Sequence, residues 1–479
     1  AIELCLSHFE QFKKYVFALS GRQLVMLVFT LLSILGHQIY MYRHIFVAMD
    51  EAFSWLFFAS QGTFVTLSNY PVPNNHIFYN LCSLFWSNFI NDQILAMRLT
   101  SLLSFWALLL LIFYYFLKTT NFQTALFSLM LVGLGFSQAV FAVQGRGYML
   151  LTLSFFVALW SVEAYLRNRQ KAYLLFFFVS CVIGFWAIPV FLYVFLSFYA
   201  YLLFITCWKE RKIDLFLVFF KIGVLIGGVV YLCYSPVLLY SGFSALAGNE
   251  NVSPKTYDSA WFFGYILSIS LRESIIYVMS LPKYLSFVVF SVLGLLLLYV
   301  SRKQKDASFR YLWFFLWISL LVTFLIICLM QAFPFYRVWT YYAVLLAVFL
   351  SFLAYYFIFS RREIAYAYLF GINIILVVGA YFQFWREIRD FYDPKSYKHH
   401  KELQEATQII IAKEQKIYLT IEAFYVRFWL EYKKSEGILR QNPCRADVAI
   451  TESSEAVPAC QEAEKEIWFL RFHHYKEQN

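Results

Sequence analysis

Runs of about 20 mostly apolar residues recur along the first four-fifths of the chain, and each is long enough to cross a bilayer as a helix. The candidates are 24–42, 94–117, 125–144, 148–166, 172–188, 190–208, 214–240, 284–301, 311–332, 338–360 and 364–385. That is about eleven segments, with only Pro189 dividing the pair at 172–208. Lipid cannot satisfy free backbone N–H and C=O groups, so continuous apolar runs of this kind fold as helices rather than as an open sheet. Composition agrees: 61% of the 479 residues are hydrophobic and 14% are charged, outside the range of soluble globular chains. The first run is too long for a signal-peptide core and no small-residue cleavage pattern follows it, so it reads as a retained span.

The net charge of +10 acquires meaning from where the cations fall. Lys13, Lys14 and Arg22 precede the first span; Lys118, then Arg167, Arg169 and Lys171, then Lys209, Arg211 and Lys212 occupy alternate short loops. Arg302, Lys303, Lys305 and Arg310, and finally Arg361 and Arg362, continue the pattern. Positive charge marks cytoplasmic loops, so 43–93, the 144–148 turn, 241–283, the 333–337 turn and the tail from 386 are expected to face outward. This divides the chain into a membrane region, 1–385, and an extracytoplasmic segment, 386–479, whose short apolar stretches suggest a small soluble α/β domain. Cys444 and Cys460 both fall in that tail, where an oxidising compartment would permit a disulfide.

Three outward features need a reason. The loop 43–93 carries Asp50 and Glu51 in AMDEAFSW and Asn74, Asn75 and His76 in NYPVPNNHIFYNL, on segments with helical spacing. An Asp-Glu pair is ordinarily a helix cap, yet polar groups held at a membrane interface are functional candidates. QGRGYML places Arg146 between two glycines in the 144–148 turn, and PFYRVW places Arg337 in the later turn. Arg98, at the start of the second span, and Lys283, at the end of the long loop, add further cations on the same side. Guanidinium groups at headgroup depth suit phosphate oxygens, although snorkelling explains single cases. The chain contains no phosphate-binding loop, structural-metal spacing or nucleophile elbow.

Taken in order, MDEAFSW, PNNHIFYNL, MRLTSLL, GRGYML and PFYRVW resemble the GT-C membrane glycosyltransferases, in particular the protein O-mannosyltransferase and aminoarabinose-transferase group. The motifs cover most of the chain as far as the fourth span; the remainder is similar mainly in architecture, and NNHIF departs from the commoner His-Pro-Pro form. The resemblance implies an inverting transferase in a bacterial inner (plasma) membrane. It would move a sugar from a polyprenyl-phosphate donor to a glycan, lipid or protein acceptor on the extracytoplasmic face, with no nucleic-acid partner. It further implies Asp50 as base with Glu51 in support, Arg146, Arg337, Arg98 and Lys283 as donor-phosphate contacts, and His76 and Asn75 at a sugar or divalent-metal site. A lipid or polysaccharide flippase is the alternative of a different class, but it would place charges near mid-membrane and often carries internal repeats. A non-catalytic scaffold working through its tail is the third reading.

Overall fold

The computed structural model describes residues 2–71, 74–209, 213–247, 259–279, 283–303, 306–331, 334, 336–360, 366–390, 394–413, 415, 417–419, 424–432, 448–452, 461–467 and 470–475. Among them are nine helices long and apolar enough to cross a membrane, ten if a bent pair counts as one span. An amphipathic helix α1 (Ile2–Phe17) precedes α2 (Gly21–His44), which starts where Ser20 and Gln23 cap one another's backbone N–H groups. The first loop folds into α3 (Met49–Phe57), α4 (Thr63–Ser68) and α5 (Ile77–Ser87), in keeping with its helical spacing. Asp92 then caps α6 (Gln93–Thr119), and Asn121 caps α7 (Phe122–Gly133). The expected span 125–144 is a broken one: α7 and α8 (Phe136–Ala142) meet at a 64° bend around Leu134 and Gly135.

The apolar bundle continues with α9 (Tyr148–Asn168), α10 (Ala172–Ala187), α11 (Phe191–Leu203) and α12 (Ile213–Tyr240). The helices in 172–208 do separate at Pro189, but both are shorter than a full span. After α13 (Phe243–Ala247), α14 (Ser259–Trp261) leads through a π-helical turn into α15 (Leu267–Met279). Then come α16 (Lys283–Lys303), α17 (Ala307–Met330), α18 (Thr340–Ala354) and α19 (Tyr366–Asp390).

The segment Ser259–Met279 differs from the long outward loop expected over 241–283, because it is helical and apolar enough to count as a span. Two of its contacts are made at one end of the bundle. Helices α17 and α18 form an antiparallel hairpin: the Phe309 ring meets Phe349 and Phe352, and Tyr342 O–H bonds Ser319 and Thr323. At the hairpin's closed end Gln331 Nε2 donates to Ser259 Oγ (3.1 Å), while Tyr277 and Thr340 share a hydroxyl contact of 3.2 Å. Both ends of the 259–279 segment are therefore fixed to the same end of one hairpin.

The opposite end of the bundle gathers a different set of groups. Buried Glu163 of α9 accepts from Tyr115 of α6 (3.0 Å) and from Ser308 of α17, and pairs with Arg167 at 2.9 Å. The His8 ring of α1 contacts the hydroxyls of Tyr114 (2.8 Å) and Tyr173 (2.9 Å). Lys118, Arg167, Arg169 and Lys171 flank these groups in sequence, so several of the basic loops lie together at one end.

The tail forms α20 (Pro394–Ala412), β1 (Ile417–Leu419), α21 (Phe424–Tyr432), β2 (Val448–Glu452), β3 (Gln461–Ile467) and β4 (Leu470–Tyr475). The strands make a sheet of order β1-β2-β4-β3, with β1 parallel to β2 and the other pairs antiparallel. These elements pack against the first loop. Tyr425, Val426, Phe428, Trp429 and Leu430 share one apolar cluster with Val47, Ala52 and Leu56 around α3, and Tyr425 O–H donates to Val47 O at 3.0 Å. Burying aromatic area on both sides makes the first loop and the tail one packed unit.

Candidate active site

Asp50 and Glu51 occupy the first turn of α3, where carboxylates meet the positive end of the helix dipole. Adjacent residues on a helix point about 100° apart, so the two side chains have different surroundings. Glu51 turns inward and is wholly buried. Arg98 grips it side-on, with Nε donating to Oε1 at 3.0 Å and Nη2 to Oε2 at 3.1 Å. Ala48 N–H donates to Oε2 at 2.7 Å, half of a capping box, and Gly145 N–H donates to Oε1. Two further Arg98 protons go to the carbonyls of Ile45 (3.2 Å) and Phe46 (3.0 Å). The pair locks the end of α2, the start of α6 and the 144–147 turn together. Neither side chain lines the cavity that Asp50 faces, and their mutual pairing holds α3 in place.

Asp50 points the other way, into a cavity of about 180 Å³ that Arg146 and Arg337 also line. Arg337 Nη1 donates to Asp50 Oδ2 at 2.8 Å, and Arg146 Nη2 lies 3.7 Å from the same oxygen. The three residues come from α3, the α8–α9 turn and the 3-10 turn Tyr336–Trp339. Partial burial alone would raise the Asp50 carboxyl, but the charges of Arg146 and Arg337 and the Arg337 hydrogen bond outweigh it and hold the group below its ordinary range. Arg146 is buried, and its Nη1 donates to Asp50 O (3.2 Å), Ser54 Oγ (3.0 Å) and Asn74 O (3.4 Å). The guanidinium groups of Arg146 and Arg337 sit 6.0 Å and 5.8 Å from the Tyr148 ring centre, within cation–π reach. Phe136, Phe141 and Tyr277 complete the apolar wall. Two cations facing one carboxylate leave the cavity with a surplus of one positive charge, in low-dielectric surroundings that strengthen its pull on an anion.

The glycines of GRGYML are required by space. A Cβ on Gly145 would sit 3.0 Å from Glu51 Oε1 and 3.4 Å from Met97, and one on Gly147 would sit 3.2 Å from both His76 Nδ1 and Ile188. The close approaches are to buried side chains of the same chain. Gly145→Ala should therefore destabilise the detergent-solubilised protein by about 1–3 kcal/mol, the usual cost of overpacking, read as a lowered thermal unfolding midpoint. An unchanged midpoint would mean that the 144–147 turn yields without loosening the Glu51 clamp.

His76 is buried beside Arg146 and takes the Gly147 N–H on Nδ1 at 2.9 Å, so its neutral ring carries the proton on Nε2. That nitrogen lies 3.3 Å from Arg146 Nη2. Burial, followed by the charges of Arg146 and Arg337, pushes His76 well below the ordinary imidazole range. Asn75 is fully buried; it donates to the carbonyls of Thr66 and Asn69, both at 2.8 Å, and accepts from Asn80 at 2.9 Å. It staples the first loop, and both of its amide protons are taken by backbone carbonyls. The donor set does not fit a divalent metal. His76 already has a backbone donor on one nitrogen and a guanidinium against the other, and both carboxylates are paired with arginines. Among the described residues no group of three or more His, Cys, Asp and Glu could hold a metal ion.

The side chain of Lys283, and Cys444 and Cys460, lie outside the described residues. Sequence reasoning does not single out Tyr148 or Tyr277, both of which line the cavity. Tyr148 follows Arg146 within GRGYML, and an aromatic two residues from a loop arginine is the available signal. Neither a protein-family model nor a curated protein matches the chain.

Proposed function

We propose that this chain is a membrane glycosyltransferase that moves a sugar from a polyprenyl-phosphate donor to an acceptor hydroxyl, with inversion. The observation that carries the reading is a carboxylate, Asp50, held against two guanidinium groups in a cavity at one end of an apolar helical bundle. Transfer needs a base for the acceptor proton and positive charge for the departing phosphate, and those are the groups present. The acceptor oxygen attacks the anomeric carbon from the face opposite the phosphate, and the bond from that carbon to the phosphate oxygen breaks. The hydroxyl proton passes to Asp50. Polyprenyl phosphate leaves with its added negative charge against Arg146 and Arg337. A cavity of about 180 Å³ is small beside ordinary ligand pockets, so it suits the phosphate and leaves the prenyl chain to lipid. The surplus of one positive charge matches a singly charged phosphodiester.

The basic loops at the bundle's far end favour an extracytoplasmic site, with the tail elements packed beside it on that face. The order of MDEAFSW, GRGYML and PFYRVW, similar to the GT-C enzymes, supports a bacterial inner membrane and a glycan, lipid or protein acceptor. The test is reconstitution in liposomes with polyprenyl-phosphate sugars and a panel of acceptors. Transfer by wild type that falls on Arg146→Ala or Arg337→Ala, with a raised apparent donor KM, is the expected result. No transfer with any such donor would remove the reading and favour a lipid transporter.

A further inference from the structure

We propose that Asp50 is the resident occupant of the phosphate site, and that an incoming phosphate ester displaces it from Arg146 and Arg337. The inference rests on the reading of the cavity as a phosphate site, and it adds that the base is released only when that site is filled. Both guanidinium groups converge on one oxygen, Oδ2, at 2.8 Å from Arg337 Nη1 and 3.7 Å from Arg146 Nη2. Those are the N–H directions a phosphate in the cavity needs, so carboxylate and phosphate compete for the same protons.

The partners differ in freedom. Arg146 is 3% exposed and anchored through Nη1 to two carbonyls and Ser54, so it stays when its anion changes. Asp50 is 37% exposed on its side chain, and the Glu51–Arg98 clamp fixes its backbone, so a rotamer change suffices to release the carboxylate. Arg146 Nε has no hydrogen-bond partner among the described residues, although it is buried. A phosphate would satisfy it side-on, which the Asp50 carboxylate, reaching only toward Nη2, does not do. A buried donor left open in this way is costly unless something else completes it.

The chemical consequence follows from the charges facing Asp50, which are Arg146 from the α8–α9 turn and Arg337 from the turn before α18, with Tyr148 and Tyr277 lining the same cavity. Once a phosphate takes the guanidinium protons, the carboxylate loses two attractive contacts and gains an anionic neighbour. Both changes raise its proton affinity. A resting carboxylate that is a poor base becomes a better one when the donor docks.

Competition makes an unusual demand: removing the charge of Asp50 should tighten anion binding. Equilibrium binding of farnesyl phosphate and of inorganic phosphate to the protein in nanodiscs tests it, in wild type, Asp50→Asn, Asp50→Ala and Arg146→Ala. Both Asp50 variants should bind several-fold to about tenfold tighter than wild type, and Arg146→Ala more weakly. A gain for both probes identifies phosphate chemistry alone; a gain confined to farnesyl phosphate identifies a lipid headgroup. Affinity unchanged or reduced in both Asp50 variants, or no binding of either probe to wild type, would overturn the proposal. No sugar is transferred in this measurement, so a failed transfer assay would sink the glycosyltransferase reading while leaving the exchange standing.

Discussion

Asp50→Asn should lower turnover about 10²–10⁴-fold, the range over which a positioned general base contributes, while leaving the fold intact. The asparagine keeps the shape and can still accept from Arg337, so packing is conserved and only proton uptake is lost. The readout is kcat for sugar transfer in liposomes, beside a thermal unfolding midpoint that shows the variant is folded. The pH profile supplies a second signature. Because the folded carboxyl lies below its ordinary range, Asp50 in the ligand-free protein is ionised throughout the neutral region. The acid limb of kcat/KM should then fall below the usual carboxylate range, with activity lost only as pH drops through the depressed value. The residual activity of Asp50→Asn should lack that limb. Wild-type turnover in the variant would remove Asp50 as the base.

Much of this arrangement is legible without the fold. Asp50, Arg146 and Arg337 are separated by up to 287 positions, yet all three fall in loops on the side where cations are otherwise sparse, and the structure brings them to one cavity. Charge alternation carries that information because each helix crossing reverses the side. What it cannot carry is orientation about a helix axis. Asp50 and Glu51 are neighbours with nearly the same chemistry, and only the packing of α3 against α6 and the 144–147 turn separates a buried anchor from a cavity-facing carboxylate. The pairing of Arg98 with Glu51 is hidden for the same reason, since the two lie 47 positions apart in different elements. Asn75 resembles a ligand group because a buried amide and a binding amide have the same sequence signature. The 259–279 helix escapes because Arg272 and Glu273 interrupt its apolar run, and its seating depends on contacts with Gln331 and Thr340. The seating of α21 on α3 is likewise a tertiary fact, since Tyr425 and Val47 meet across 378 positions of sequence.

Glu51→Gln should be the most damaging single substitution for stability, costing about 3–5 kcal/mol. Removing one partner of a buried bidentate pair leaves the Arg98 guanidinium charged and uncompensated at 2% side-chain exposure. The amide oxygen can serve only part of the set of donors from Arg98, Ala48 and Gly145 that converge on the carboxylate, and its NH2 would face another of them. Asp50 would then lose its anchor, so transfer should fall together with the unfolding midpoint, in contrast to Asp50→Asn. The double variant Glu51→Gln, Arg98→Met separates the two contributions. Exchanging both charges for groups of similar length removes the stranded cation, and such replacements in buried pairs are often close to neutral. The double variant should therefore recover a large part of the lost midpoint, a coupling of about 2 kcal/mol or more by double-mutant cycle. Activity need not recover with it, because the side-on clamp that orients α3 relative to α6 is gone. Additive losses in the double variant would mean that Glu51 and Arg98 act independently, and that the backbone donors at Ala48 and Gly145 do the holding.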